Sequence, residues 1–207
     1  MQMTDMETTM SRRQKDIVHA ALTLIGEEGL GRLTIRNVAK RVGFTEPAVY
    51  RHFPNKAVLL EMMLEYVSET MRVHFADARR QAGSGREVLE HFLIGMFEKF
   101  AEMPALVPLL FTDELLHQEP KLEARITSTV ETQIGRIADL VREMQQAGEW
   151  RHDIAAGDLA TMILGTIRLS VVRHSGGGEP AEHARHVSGV LSALLTGVEP
   201  ASGARAP

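Results

Sequence analysis

Apolar residues recur along this chain at helical intervals, and no convincing alternating stretch interrupts them. The period predicts helix after helix and no strand. The first stripe is Ile17, Ala20, Ala21, Leu24 and Ile25, opened by Ser11-Arg-Arg-Gln14 with the spacing of a capping box and stopped by Gly29. A short turn over Leu30–Leu33 leads to Thr34, a good N-cap, and to a helix through Val42. Gly43 supplies the break after it. Thr45 caps a second short helix with Pro47 in its first turn, where a missing N–H costs nothing. Phe53-Pro54 ends that helix, because proline disfavours the helical conformation in the residue before it. Asn55 then opens a long helix bearing Leu59, Leu60, Met63, Leu64, Val67 and Met71.

The break at Gln81–Gly85 reads as a linker or a helix–helix turn, and Ser84-Gly-Arg-Glu87 as a second capping box. Val88, Leu89, Phe92, Leu93, Met96, Phe97 and Phe100 continue the pattern. Pro104 and Pro108 bracket the start of a helix that ends near His117. Pro120 begins a long helix closed by Gly148, and a further helix spans about Ala156 to His174. Ser175–Pro180 is a glycine-rich loop, and Glu182–Gly197 forms the last helix. The expectation is an all-α protein of about nine helices without internal repeats. Residues 1–10 and 198–207 are expected to be disordered tails, 11–56 a small helical head, and 57–197 a larger helical body.

Composition agrees with that class. Apolar residues make up 44% of the chain and aromatics 5%, so Leu, Ile, Val, Met and Ala must build the core, which suits packed helices. There is no cysteine, which excludes disulfides, thiolate metal sites and cysteine nucleophiles. Met1–Met10 carries Asp5 and Glu7 with no apolar core, so it does not read as a signal peptide. No apolar run reaches the roughly 18–20 residues that span a bilayer, and a cytoplasmic protein without a membrane partner is expected. The net charge of −4 argues weakly against nucleic acid, but its distribution argues for it. Residues 11–60 carry +5 and residues 61–207 carry −7, a basic head on an acidic body.

Three short helices within about fifty residues, the last two joined by Val42-Gly43-Phe44-Thr45, form a helix-turn-helix pattern that would place a recognition helix in the major groove of double-stranded DNA. Thr45, Glu46, Pro47 and Ala48 suit its groove-facing end. Tyr50, Arg51, His52 and Lys56 suit phosphate contact, and Val38, Ala39, Val42, Val49 and Phe53 the buried side. The stretch from Leu33-Thr-Ile-Arg-Asn-Val-Ala to Ala48-Val-Tyr-Arg-His-Phe-Pro-Asn-Lys56 resembles the tetracycline-repressor-like (TetR) family, and the resemblance covers residues 11–60. It implies an all-helical homodimer with a DNA-binding head and an effector-binding body. Carried over by position, it makes Thr34 and Thr45 phosphate contacts, Glu46, Pro47 and Ala48 base-facing residues, Tyr50 and His52 further DNA contacts, and Lys56 a backbone contact. Glu46 departs from the pattern, since a basic or small residue is common there. An acid near phosphate costs affinity but can accept from the cytosine N4 amine. Arg12, Arg13 and Arg51 are either solvated or on the DNA backbone, while Lys40 and Arg41 read as solvated.

For the body, the resemblance implies a pocket for an unknown small-molecule effector, with Phe92, Met96, Phe100, Leu109, Phe111, Leu115 and Ile137 as candidate lining, although plain packed core is the commoner role for residues of this kind. The last two helices carry apolar and small residues on more than one face. Met162, Ile163, Thr166, Ile167, Ser170, Val187, Val190, Leu191 and Leu194 are candidates for a four-helix homodimer contact. Two heads related by a two-fold axis would read half-sites about 34–36 Å apart. His183 and His186 share a helix face, but no converging set of three or four ligands is legible, so no metal is expected. No cofactor, phosphate loop, nucleophile elbow or catalytic residue is legible either. The reading is a DNA-binding regulator, as a repressor released by an effector or as an organiser or activator without one.

Overall fold

The computed structural model describes residues 10–103, 105–111, 120–174 and 180–197. Nine α-helices and a short 3-10 turn make up its regular structure, with no strand among the described residues. They are α1 (Arg12–Glu28), the 3-10 turn (Leu30–Arg32), α2 (Ile35–Val42), α3 (Glu46–Tyr50), α4 (Lys56–Gln81), α5 (Gly85–Glu102), α6 (Leu106–Phe111), α7 (Pro120–Gln146), α8 (Ala156–His174) and α9 (Pro180–Gly197). The expected tails 1–9 and 198–207, the glycine-rich stretch 175–179, and Leu115 and His117 lie outside the described residues. No helix among the described residues is long and apolar enough to cross a membrane.

Local chemistry sets the helix ends of the head. The Ser11 hydroxyl accepts from the Gln14 amide at 3.3 Å, and Gln14 Oε1 accepts from the Ser11 amide at 2.9 Å, a complete capping box. Thr34 Oγ1 accepts from the Asn37 amide at 3.1 Å, while Asn37 Nδ2 donates to the Arg32 carbonyl at 2.8 Å and ties α2 to the turn before it. Gly43 ends α2 at φ +76°, a left-handed conformation in which a Cβ would cost about 1 kcal/mol. The Phe44 amide then reaches back to the Ala39 carbonyl at 2.9 Å. Thr45 caps α3 through the Ala48 amide, and Asn55 Oδ1 takes the Val58 amide at 2.9 Å in the first turn of α4. The second capping box is only half formed. Ser84 accepts from the Glu87 amide, but the Glu87 carboxylate takes the Gly83 amide at 2.7 Å instead of that of Ser84.

Two compact units emerge, one within Met1–Val73 and Lys99–Thr129, the other within His74–Glu98 and Val130–Pro207. The first therefore holds more than the head expected at 11–56, since it also takes in the N-terminal two-thirds of α4 and all of α6. Ile17, Val18, Ala21 and Ile25 of α1, Leu33, Val38 of α2, Val49 of α3 and Phe53 are all buried there, with α2 packed on both α1 and α3. Val42, expected on the buried side, is only half-buried.

The second unit is built around Phe75 and Phe92, edge-to-face at 5.0 Å between ring centroids. His74 lies beside Phe92 and over Gly95, and its ring occupies the space a side chain at that glycine would take. The single tryptophan, Trp150, is buried in the turn after α7, where Gly148 adopts φ +73°. Gln145 Nε2 satisfies that turn by donating to the Arg151 and Ile154 carbonyls at 2.8 and 2.9 Å.

Phe53→Ala should lower the unfolding free energy by about 3–5 kcal/mol, against a typical total of about 5–15 kcal/mol. Urea denaturation followed by circular dichroism checks it; a loss below about 1 kcal/mol would mean that Phe53 does not hold the head together.

Candidate nucleic-acid interface

The five residues of α3 are too few for a helix to persist alone, since isolated helices below about 12–15 residues are marginal. Tertiary burial therefore decides its position. Val49 and Phe53 point into the first unit with no exposed surface, and the helical period turns Pro47 and Arg51 to the opposite side. Thr45, Glu46 and Pro47 are exposed, Ala48 is half-buried, and Tyr50 is 47% exposed despite its size. Arg51 is exposed at the end of α3, and His52 is half-buried beside it.

Two troughs flank the start of α3. One, of about 460 Å³, is walled by Arg13, Phe44, Thr45, Ala48, Arg51 and His52. The other, of about 550 Å³, is walled by Arg36, Asn37, Ala39, Lys40, Phe44 and Glu46. The structure thus brings Thr45, Ala48, Arg51 and His52 together on one side, joined by Arg13 of α1. Glu46 faces the other side, joined by two cations from α2.

Both threonines predicted to meet phosphate are N-caps. Each hydroxyl oxygen accepts an amide from its own helix, and its O–H proton remains available for an outside acceptor. Lys56 stands at the first position of α4, where a positive charge opposes the helix dipole, and no acid shares that first turn. Such a lysine adds nothing to helix stability, and an anion at that helix end would be favoured.

Several residues of the site or its surroundings are not legible in the sequence. Arg36 Nε lies 3.9 Å from Glu46 Oε1, an ion pair that joins α2 to α3 across the turn. Arg41 pairs with both Glu27 and Glu28 of α1, so it braces α1 against α2 rather than standing free in solvent as expected. His19 of α1 and Tyr66 of α4 share a hydrogen bond of 3.0 Å between Nε2 and the phenol oxygen. They line a separate cleft of about 480 Å³ with Leu22, Thr23, Glu102 and Met103. Periodicity finds helices, but partners ten or more residues apart leave no local signal.

The body residues divide differently from the expectation. Phe92, Met96 and Ile137 are buried in the second unit, and Phe100 and Leu109 in the first. Phe111 ends α6 with its side chain outside the described set, as are Leu115 and the Val187 side chain. On α8 and α9, Ile163, Ile167, Ser170 and Leu191 are buried within the protomer, where the two helices pack on each other. Thr166, Val190 and Leu194 are half-buried. Met162, Leu169 and Val172 are the large apolar side chains that α8 leaves exposed, Leu169 at 61%.

Comparison with known proteins agrees with this geometry. The sequence profile of the bacterial regulatory proteins of the tetR family matches residues 17–63, the segment from α1 into α4. The nucleoid occlusion factor SlmA of Aliivibrio fischeri (strain MJ11) is 28% identical over 191 residues, covering 89% of this chain and 96% of that protein. Among solved structures, the fatty acid degradation regulator FadR of Bacillus halodurans superposes with a TM-score of 0.76 at 20% identity, over 96% of this chain and 99% of that one. FadR of Bacillus subtilis, solved in complex with stearoyl-CoA, superposes with a TM-score of 0.73 at 21% identity, over 89% and 99%. Residues 17–63 thus match the DNA-binding segment of the tetR family of bacterial regulatory proteins, the all-helical fold is shared with regulators of that kind, and the chain is a DNA-binding transcriptional regulator.

Proposed function

We propose that this regulator is a repressor that grips its operator through the outward side of α3 and the start of α4, and that a small-molecule effector releases it. The observation that carries the DNA surface is the cationic rim around a short recognition helix. Arg13, Arg51 and His52 stand on one side of α3, Arg36 and Lys40 on the other, and Lys56 at a helix N-terminus that favours an anion. In this reading Thr34, Thr45, Tyr50, His52 and Lys56 hold the phosphates, while Glu46, Pro47 and Ala48 face base edges.

Release by an effector is supported by the Bacillus subtilis neighbour, whose structure holds stearoyl-CoA. The cleft lined by His19 and Tyr66 falls within the range of small-molecule sites, about 300–1,000 Å³, and its walls include α1 of the head. An effector acts only by binding the released conformation more tightly than the operator-bound one. A second reading follows from the SlmA relative, a nucleoid occlusion factor matched over nearly its whole length. There the chain would be a DNA-bound organiser with no small-molecule ligand.

Homodimerisation in this reading uses Met162, Leu169 and Val172 of α8 with the half-buried Thr166, Val190 and Leu194. Leu169→Asp combined with Val172→Asp should yield a folded monomer by sedimentation velocity and abolish tight operator binding. A dimer that persists would place the contact elsewhere.

Tyr50→Ala should change stability by less than about 0.5 kcal/mol, because its ring is half in solvent, yet weaken operator binding. Lys56→Ala should weaken binding to all sequences and lower the slope of log affinity against log salt by about 0.9. Fluorescence anisotropy on a duplex from the chain's own promoter region checks both; wild-type affinity and salt slope in the two variants would remove this surface from the DNA contact.

Thermal-shift screening of a metabolite panel that includes stearoyl-CoA separates the two functional readings. A compound that raises Tm and frees the operator is expected. Binding sites scattered along the chromosome, with no compound releasing them, would favour the organiser.

A further inference from the structure

Glu46 presents a difficulty that the sequence leaves open. It is an acid on the groove-facing end of α3, where phosphates surround any bound duplex and repel it. The structure supplies its counterion. Arg36 projects from α2 with 84% of its side chain exposed, and its Nε stands 3.9 Å from Glu46 Oε1. Both side chains wall the same trough, with Asn37 and Lys40 behind them. An exposed pair of this kind contributes about 0–1 kcal/mol to folding, so stability gives little reason for it. Glu46 also sits at the first position of α3, where the helix dipole favours a carboxylate. It therefore stands at the exposed start of α3, beside a guanidinium with donors to spare.

A carboxylate and a guanidinium side by side suit a donor next to a pair of acceptors in the major groove. A G·C pair presents the cytosine N4 amine, a donor, beside guanine O6 and N7, both acceptors. The N4 amine and O6 are joined by a Watson–Crick hydrogen bond, so they lie about 2.9 Å apart. That spacing agrees with the ion pair to within about 1 Å.

Resting on the DNA-binding reading of α3, we propose that Arg36 and Glu46 act as one unit that reads a single G·C pair in each half-site. Glu46 accepts from cytosine N4, and Arg36 donates to guanine O6 and N7. Arg36 neutralises the acid against the phosphates, and Glu46 orients the guanidinium in the base-pair plane. An A·T pair places a donor, N6, beside adenine N7, so the Arg36 fork loses one of its two acceptors. Neither residue reads this pair alone, which makes the two effects non-additive.

The experiment uses the full chain as wild type, Arg36→Ala, Glu46→Ala, Glu46→Gln and the double alanine variant, each checked for native helicity by circular dichroism. Duplexes bound from a randomised library are sequenced, and affinities are measured by anisotropy at one salt concentration on the selected duplex and on its G·C→A·T derivatives. Wild type should require a G·C pair at one position of each half-site, with a loss of about tenfold to a hundredfold on replacement. Each single alanine variant should lose that requirement, and the double variant should bind no worse than the weaker single. Glu46→Gln should shift the preference at that position towards adenine, which glutamine reads through N6 and N7.

Additive losses would overturn the proposal, as would an unchanged preference in Glu46→Gln. A uniform fall in affinity with a reduced salt slope in Arg36→Ala would make Arg36 a phosphate clamp instead. In all these outcomes the wild type still selects a specific duplex, so DNA reading by α3 stands. Failure of wild type to select any duplex overturns that reading, and the paired readout with it.

Discussion

The burial of Val49 and Phe53 is the constraint on which the head depends. Both side chains are withdrawn from solvent, as are Ile17, Leu33 and Val38 of the same unit, and α3 is too short to be helical without that burial. Full burial of a phenylalanine is worth about 1.5–3 kcal/mol, against about 1 kcal/mol for a cap such as Thr45. Packing therefore outweighs capping in placing α3, and capping fixes where it starts. Once those two residues point inward, the 3.6-residue period turns Pro47 and Arg51 outward and Tyr50 to the flank, while Glu46 is exposed as the first residue of the helix. The left-handed turn at Gly43 then sets the direction in which α3 leaves α2. The exposed chemistry of the site follows from what the core holds.

Charge is laid over this frame in two layers. Arg41 is spent inside the unit, paired with Glu27 and Glu28, and contributes to holding α1 and α2 together. Arg13, Arg36, Lys40, Arg51 and Lys56 instead line the troughs beside α3 or the first turn of α4. The excess of cations in residues 11–60 is therefore not spread evenly, and a share of it faces one helix. A single acid, Glu46, stands within that rim, with Arg36 as its counterion. The protein thus carries a polar pair at the exposed start of α3.

On the last two long helices, one set of residues cannot serve two interfaces. Ile163, Ile167 and Leu191 are taken up by packing within the protomer, and what α8 leaves over is a face of Met162, Leu169 and Val172. A helix apolar on more than one side has more than one partner to satisfy. The packing of α8 on α9 within the protomer accounts for one of them, and the exposed face is left over.

The sequence by itself determined the helices and the ends of most of them. Capping and helix termination are local: Ser11, Thr34, Thr45 and Asn55 act within three or four residues, and so do the left-handed glycines at 43 and 148. It also determined that Pro47, Tyr50 and Arg51 turn outward, because Val49 in α3 and Phe53 just after it are the apolar positions and the helical period sets the others off that side. Only the tertiary structure decided which residues meet across helices. Arg36 with Glu46, Arg41 with Glu27 and Glu28, and His19 with Tyr66 are pairs brought together by chain reversal at separations from ten to forty-seven residues. It decided as well which apolar face of α8 is internal, since periodicity reports that a residue is apolar but not which neighbour covers it. Hydrophobic period is a property of one helix; pairing and burial are properties of two.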